Sequence, residues 1–322
     1  MNWKRCSNVC NMKKKEMIII AGPTAVGKTK YAIEVAKAMN GEIVSCDSMQ
    51  LYQFMDIGSA KPTPEEQAEV KHYLVDEIDP RESFSVAEYQ KRAKAAIHEV
   101  FEKGKTPVLS GGTGLYVNSL IYDMDFSAPP VGNEYREKLE KLAKEQGNEA
   151  VYNRLKEVDP SAAERIHVNN LKKMIRAIEV AENAEKGIKP FEESFIKTQD
   201  YSYQLIGLSR DREELYNRIN MRVDLLVEMG LIEEIKCLLA MGLTEENISM
   251  KGIGYKEIIG YLHGEYALEH AIYLVKRNTR HYAKRQMTWF KRYDDIIWFN
   301  ISNYPSDEVA IEEIITWLRK NK

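Results

Sequence analysis

Five short runs of aliphatic and β-branched residues punctuate the chain, each closely bounded by Gly, Pro, Ser or Asp. They are Met17–Ala21 (MIIIA), Glu42–Cys46 (EIVSC), Thr106–Leu109 (TPVL), Tyr203–Leu208 (YQLIGL) and Asp295–Phe299 (DIIWF). Runs of this length and composition read as strands buried on both faces. Most are separated by stretches with helical periodicity, beginning with Thr29–Met39. Alternating strand and helix predicts an α/β core, a parallel sheet with helices on both faces.

The alternation breaks once. Between Leu109 and Tyr203 the pattern gives only helices: Glu134–Lys144, Ala150–Glu157, Ala162–Ile166 and Leu171–Glu185. Asp159-Pro160 supplies an N-cap and a first-turn proline. The stretch opens after Ser127-Ala-Pro-Pro130 and closes near Gly187-Ile-Lys-Pro190. It reads as a helical insertion domain, 126–198, within a core made of 17–125 and 199–322. The last third reads as helix over Arg212–Met229, Ile232–Ala240, Glu265–Lys291 and Ser306–Arg319.

Composition narrows the class. The chain has 322 residues, 44 % hydrophobic and 30 % charged, which suits a globular protein with a sizeable core and argues against wholesale disorder. No apolar run approaches the ~18 residues of a membrane span, so no membrane insertion is expected. The net charge of −3 excludes a strongly basic chain overall. Four cysteines, Cys6, Cys10, Cys46 and Cys237, form neither a disulfide framework nor a paired zinc pattern, and their usage fits a reducing cytoplasm. Residues 1–16 are basic and lack a signal-peptide core, and read as a disordered extension. An upstream start codon or a weak RNA-contacting arm would each account for them.

Candidate chemistry starts at the end of the first strand. Gly22-Pro-Thr-Ala-Val-Gly27-Lys28-Thr29 satisfies G-x-x-x-x-G-K-[ST] in full, after a strand and before a helix. Such a loop turns backbone N–H groups onto an anion, and the helix N-terminus adds positive charge. Lys28 then neutralises phosphate oxygens, and the Thr29 hydroxyl suits Mg²⁺. A Gly-rich turn that binds nothing is the alternative. A nucleotidase motor or GTPase carries a further strand ending in Asp. Here the third run leads instead into Gly111-Gly-Thr-Gly114. That favours a small-substrate kinase or a transferase with a diphosphate leaving group.

Asp47 follows the second run, at the strand end where ligands of open α/β sheets bind. It can act as a general base or, as Asp47-Ser48, as a cap. Thr113 faces the same crevice from a turn that could equally be a plain strand–helix connection. Lys276–Arg292 (KRNTRHYAKRQMTWFKR) holds seven Lys/Arg and no acid. On a helix these cover half the circle, opposite Val275, Tyr282, Trp289 and Phe290. A one-sign stripe in a chain of net charge −3 reads as a polyanion footprint, with a solvated helix face as the alternative. Arg218 and Arg222 lie i, i+4 and can clamp phosphate or make ordinary salt bridges.

These pieces occur in a recognisable order. Gly22–Thr29, Asp47-Ser-Met-Gln-Leu-Tyr52, Asp56-Ile-Gly-Ser-Ala-Lys-Pro62 and Gly111-Gly-Thr-Gly-Leu-Tyr116 come first. Arg165-Ile-His167, Lys173–Glu179, Arg218–Arg222, Gly252-Ile-Gly-Tyr255 and Arg285-Gln-Met-Thr-Trp289 follow. The series resembles the bacterial tRNA dimethylallyltransferase (IPP transferase) family over nearly the whole chain, from Met17 to Trp298.

The resemblance implies a P-loop NTPase-like core and transfer of a dimethylallyl group from dimethylallyl diphosphate to N6 of adenosine 37 in tRNA. The tRNAs would be those reading U-starting codons. Gly22, Pro23, Thr24, Ala25, Val26, Gly27, Lys28, Thr29 and Arg222 would hold the donor diphosphate, with Mg²⁺ at Thr29. Thr24, Lys28 and Arg222 would stabilise the leaving group while Asp47 takes the N6 proton. The tRNA anticodon stem-loop would meet Asp47, Ser48, Met49, Gln50 and Thr113, then Lys172, Lys173, Met174, Ile175 and Arg176. Gly252, Gly254, Tyr255, Lys284 and Arg285 would grip it as well. His72 matches a family histidine, and a hydrogen-bonded structural histidine would look the same. A cytoplasmic monomer is expected. The rival reading is a P-loop small-metabolite kinase using ATP, which leaves the insertion and the basic stripe without a task.

Overall fold

In the computed structural model, residues 15–122, 124, 133–182 and 196–321 are described. The strands are β1 (Glu16–Ala21), β2 (Gly41–Ser45), β3 (His72–Tyr73), β4 (Thr106–Gly111), β5 (Ser202–Ser209) and β6 (Ile297–Asn300). Their order across the sheet is β3-β2-β4-β1-β5-β6, with every pairing parallel. Ile18, Ile19 and Ile20 of β1 are all buried, because this central strand has helices over both faces.

The five runs read from the sequence are five of the six strands, and no edge shifts by more than two residues. The last shifts most. Asp295 and Ile296 precede β6, whose ladder begins at Ile206↔Ile297. The sixth strand, β3, has two residues and pairs only at Ile43↔His72 and Val44↔Tyr73. It is too short to show any periodicity.

The helices around the sheet are α1 (Lys28–Ala38), α2 (Pro64–Glu69), α3 (Val86–Glu102) and α4 (Gly114–Ile121). Four more, α5 (Asn133–Gln146), α6 (Asn148–Val158), α7 (Pro160–Arg165) and α8 (Leu171–Glu182), occupy the stretch without strands. The chain ends with α9 (Arg212–Glu228), α10 (Leu231–Ala240), α11 (Tyr255–Leu262), α12 (Leu268–Phe290) and α13 (Asp307–Lys320). Among the described residues, no helix is long and apolar enough to cross a membrane.

The chain divides into two compact units, Met1–Ile121 with Gln199–Lys322, and Tyr122–Thr198. In the first, Ile18 and Ile20 of β1 join Tyr31, Val35 and Ala36 of α1 and Ile314 and Leu318 of α13 in one core. The second has its own core of Leu139, Val151, Leu155, Met174, Ile175 and Ile178. Its α7 starts as its sequence requires, with the Asp159 side chain accepting from the Ala162 amide at 2.9 Å and Pro160 in the first turn. Cys6, Cys10, the Ser127–Pro130 and Gly187–Pro190 boundaries, and the expected helical residues 183–185 lie outside the described residues.

Candidate active site

The phosphate loop connects β1 to α1. Gly27 has φ +113°, which a side chain would strain, and Ala25 is left-handed as well at φ +62°. Cations from three directions hold the loop's carbonyls. Lys28 Nζ donates to Pro23 O at 2.8 Å, Arg218 Nε to Ala25 O at 3.0 Å and Arg210 Nε to Val26 O at 3.1 Å. Arg210 is itself fixed by Asp307 and Glu214, each at 2.6 Å. The carbonyls are thereby neutralised by positive charge, which keeps the loop suited to an anion.

Asp47 stands just beyond β2, where the sheet topology sets it beside the loop. Its Oδ1 accepts from the Met49 amide at 2.9 Å, so the capping role and the free second oxygen coexist. The charges of Asp47, Lys28 and Arg222 act on one another. Burial is the main cause that lowers the Lys28 ammonium to about pKa 8; Asp47 opposes the shift and Arg222 adds to it. Burial likewise lowers Arg222, against the pull of Asp47. Two buried cations thus share one carboxylate, an environment that favours an incoming anion.

Asp47 and Arg222 border a cavity of about 480 Å³ whose lining also includes Thr24, Tyr116, Tyr282 and Arg285. Its walls are partly apolar, with Ile219, Val223 and Val275 contributing. Tyr116 stacks on the buried Tyr89, ring centroids 3.7 Å apart. Tyr89 in turn donates to Ser45 O and Cys46 Sγ, both at 2.9 Å, so the wall behind Asp47 is rigid. Burial pushes the Cys46 thiol up to about 12, which leaves it inert.

Other expected residues divide into those at the cavity and those elsewhere. Ser48 and Met49 line it, as does Gly252 with Gly254. Thr113 fixes the Asp47 turn, its Oγ1 accepting from the Ser48 amide at 3.1 Å. Gln50 is held by Ser45 and Ala60. Tyr255 is a correction. It is 1 % exposed and donates to Glu234 at 2.9 Å, so its ring builds the fold and cannot grip a ligand from the surface.

In the helical unit, Lys172, Lys173 and Arg176 are exposed, but Met174 and Ile175 belong to its core. The α8 periodicity places that pair inward, so the expected contact at those two positions does not hold for their side chains. His72 lies on β3 with Nδ1 against Val70 O at 2.8 Å, and burial lowers its pKa, a structural setting.

The basic stripe on α12 is narrower than its sequence suggests. Lys276 is paired with Asp224 at 2.6 Å, and Arg280 donates to Asn220 at 2.6 Å, both on α9. Lys284, Arg285, Lys291 and Arg292 are exposed. Val275 and Phe290 face the core as expected, while Tyr282 and Trp289 are half-buried.

Sequence reasoning missed Gln286. It is 5 % exposed; its Oε1 accepts from the Thr24 amide and its Nε2 donates to Gly112 O, both at 2.9 Å. It therefore bridges the phosphate loop to the turn carrying Thr113. Gly112 is required for that approach, since a Cβ there would lie 2.2 Å from Nε2. The available signal was a polar residue on the apolar face of α12, between Ala283 and Phe290, because buried amides find partners.

Comparisons with known proteins identify the family. The IPP transferase family model matches residues 50–293. A protein of Alkaliphilus oremlandii named tRNA dimethylallyltransferase is 57 % identical over 302 residues, 94 % of this chain and 96 % of that one. One of Clostridioides difficile with the same name is 52 % identical over 308 residues, 96 % and 99 % of the two chains. The crystal structure of the tRNA isopentenylpyrophosphate transferase of Bacillus halodurans superposes with a TM-score of 0.72 at 43 % identity, covering 95 % of this chain and 96 % of that one. A eukaryotic dimethylallyltransferase acting on tRNA gives a TM-score of 0.79 at 27 % identity, covering 94 % of this chain and 80 % of that one.

Proposed function

The chain belongs to the IPP transferase family, a family of tRNA-modifying prenyltransferases, and we propose that it transfers the dimethylallyl group of dimethylallyl diphosphate to N6 of adenosine 37 in tRNAs reading U-starting codons. The observation that carries this reading is the cavity lined by Asp47 and Arg222, whose charges both act on the buried Lys28.

In this mechanism the diphosphate occupies the loop. Lys28, Arg222 and the hydroxyls of Thr24 and Thr29 stabilise the negative charge that develops as the bond from C1 to the bridging oxygen breaks. N6 attacks C1 in line, and its proton passes to Asp47. The base helps because the N6 lone pair is delocalised into the ring. The adenine leaves its stack to reach the cavity. The apolar residues Ile219, Val223 and Val275 suit a hydrocarbon group.

Among the described residues there is no group of three or more His, Cys, Asp or Glu that could hold a metal ion. Mg²⁺ fits here through hard oxygens, the Thr29 hydroxyl and the diphosphate itself. Bound there, it would supply further charge against the leaving group.

Exposed Lys284, Arg285, Lys291 and Arg292, with Lys172, Lys173 and Arg176 of the helical unit, contact the RNA backbone in this reading. The protein works as a monomer in the cytoplasm, where tRNA is found. An ATP-dependent kinase would share the loop and Asp47 but leaves the cationic face of α12 unused, and no relative supports it.

The test supplies the purified protein with unmodified tRNA and Mg²⁺, and with either labelled dimethylallyl diphosphate or γ-labelled ATP. The expected result is label on tRNA from the first and none from the second. Phosphate transfer from ATP to a small acceptor, with no prenylated RNA, would overturn the reading.

A further inference from the structure

Glu234, on α10, lies outside every motif discussed above. Its carboxylate accepts from three consecutive backbone amides. Asp56 and Ile57 donate to Oε2 at 2.7 and 2.6 Å, and Gly58 donates to Oε1 at 3.0 Å. The Tyr255 hydroxyl donates to the same Oε1 at 2.9 Å. Successive amides converging on one anion form a nest, and here the protein fills it with its own side chain. The approach is close: a Cβ on Gly58 would lie 2.5 Å from the Tyr255 ring.

The clasped segment leads to the cavity. Gly58, Ser59 and Ala60 line it, as do Lys251–Gly254. Ala60 O accepts from Gln50 Nε2 at 3.1 Å, and Gln50 Oε1 accepts from Ser45 Oγ at 3.3 Å. Gln50 thus has both ends of its amide fixed, on the turn that Asp47 begins. One continuous path of hydrogen bonds and short backbone runs from α10 to that turn. None of its bonds involves the phosphate loop.

We propose that Glu234, with Tyr255 as its partner, is a positioning residue for the RNA substrate. It fixes residues 56–60 and, through Ala60, orients the Gln50 amide that meets the extruded base and its neighbours. The assignment rests on the tRNA-modifying reading given above. An amide aimed by two partners reads hydrogen-bond patterns on bases well, whereas a free one loses that advantage to rotamer entropy.

The experiment compares the full-length wild type with Glu234→Gln, Tyr255→Phe and, as a control, Glu233→Gln. Glu233 is exposed and, among the described residues, pairs with Lys236. Titration gives Kd for an unmodified anticodon stem-loop RNA and, separately, for dimethylallyl diphosphate; steady-state transfer gives KM and kcat. Glu234→Gln keeps the shape but turns an NH₂ group toward a backbone N–H. The expected result is a rise in RNA Kd and KM on the order of tenfold, with donor Kd within about twofold. Tyr255→Phe moves the same values in the same direction by less, and Glu233→Gln moves none. Unchanged RNA affinity in Glu234→Gln, or RNA and donor weakened by the same factor as a general loosening would give, overturns the proposal alone. Absence of prenyl transfer in the wild type removes the functional reading and the proposal with it.

Discussion

In the proposed reading two sets of cations meet phosphate, and their surroundings differ. Lys28 and Arg222 are buried, within reach of the Asp47 charge, and burial makes both easier to deprotonate than free side chains. Lys284 on α12, and Lys291 and Arg292 just beyond its end, project into solvent. Charge in a low-dielectric site acts strongly over short distances and is poorly screened. Charge in solvent is weak per residue and sensitive to salt, but it can follow a long polyanion. The first set is therefore suited to one diphosphate whose charge grows during reaction. The second suits an RNA backbone that must bind, shift and leave.

The largest expected effect lies in the buried set. Asp47→Asn keeps the Met49 cap acceptor but removes the base, and kcat should fall by about 10²- to 10⁴-fold. RNA and donor affinities should stay near wild type when titrated directly. Lys28→Ala should lower kcat by on the order of 10²- to 10³-fold and weaken the donor. A Lys28→Ala enzyme with wild-type turnover would show that the loop does not hold the leaving group.

Next in size is the salt response. Reversing Lys284, Lys291 and Arg292 to Glu, with the cavity-lining Arg285 left in place, should weaken tRNA binding. Each RNA phosphate that is no longer neutralised should flatten the plot of log affinity against log salt by about 0.9, a B-DNA value, or about 0.7 for single strands. Donor affinity should not move. If both substrates weaken together, the two sets are not separate.

The smallest effect is that of pH. Lys28 must be charged to hold a diphosphate, and its pKa in the free protein is about 8. As pH rises through that value the charged fraction falls, so kcat/KM for the donor should decline by up to about tenfold per unit. The tRNA affinity of the α12 face should stay level over the same range. A donor profile that is flat to about pH 10 would contradict the buried-cation account.

The two regions also differ in how far the sequence revealed them. The phosphate loop was legible because a fixed glycine and lysine spacing allows few backbone paths, and Asp47 because parallel topology brings neighbouring strand ends together. The α12 stripe was legible in sign but not in extent. Nothing in Lys276–Arg292 foretells that Asp224 and Asn220 of α9 occupy Lys276 and Arg280. The same limit explains Tyr255, Met174 and Ile175. A motif shows that a residue type matters, but only packing shows whether its side chain faces ligand or core. Gln286 and Glu234 were missed because their partners are backbone groups distant in sequence, which leave no mark in a local pattern. β3 escaped for lack of length.

The most direct test of the central claim is a single-turnover assay of wild type and Asp47→Asn side by side. Each would be saturated with labelled dimethylallyl diphosphate and unmodified tRNA, with the label mapped by nucleoside. The account predicts that wild type places the label on N6 of adenosine 37, while Asp47→Asn binds both substrates and transfers at least about a hundredfold more slowly. Equal rates in the two proteins, or label at another nucleoside, would contradict it.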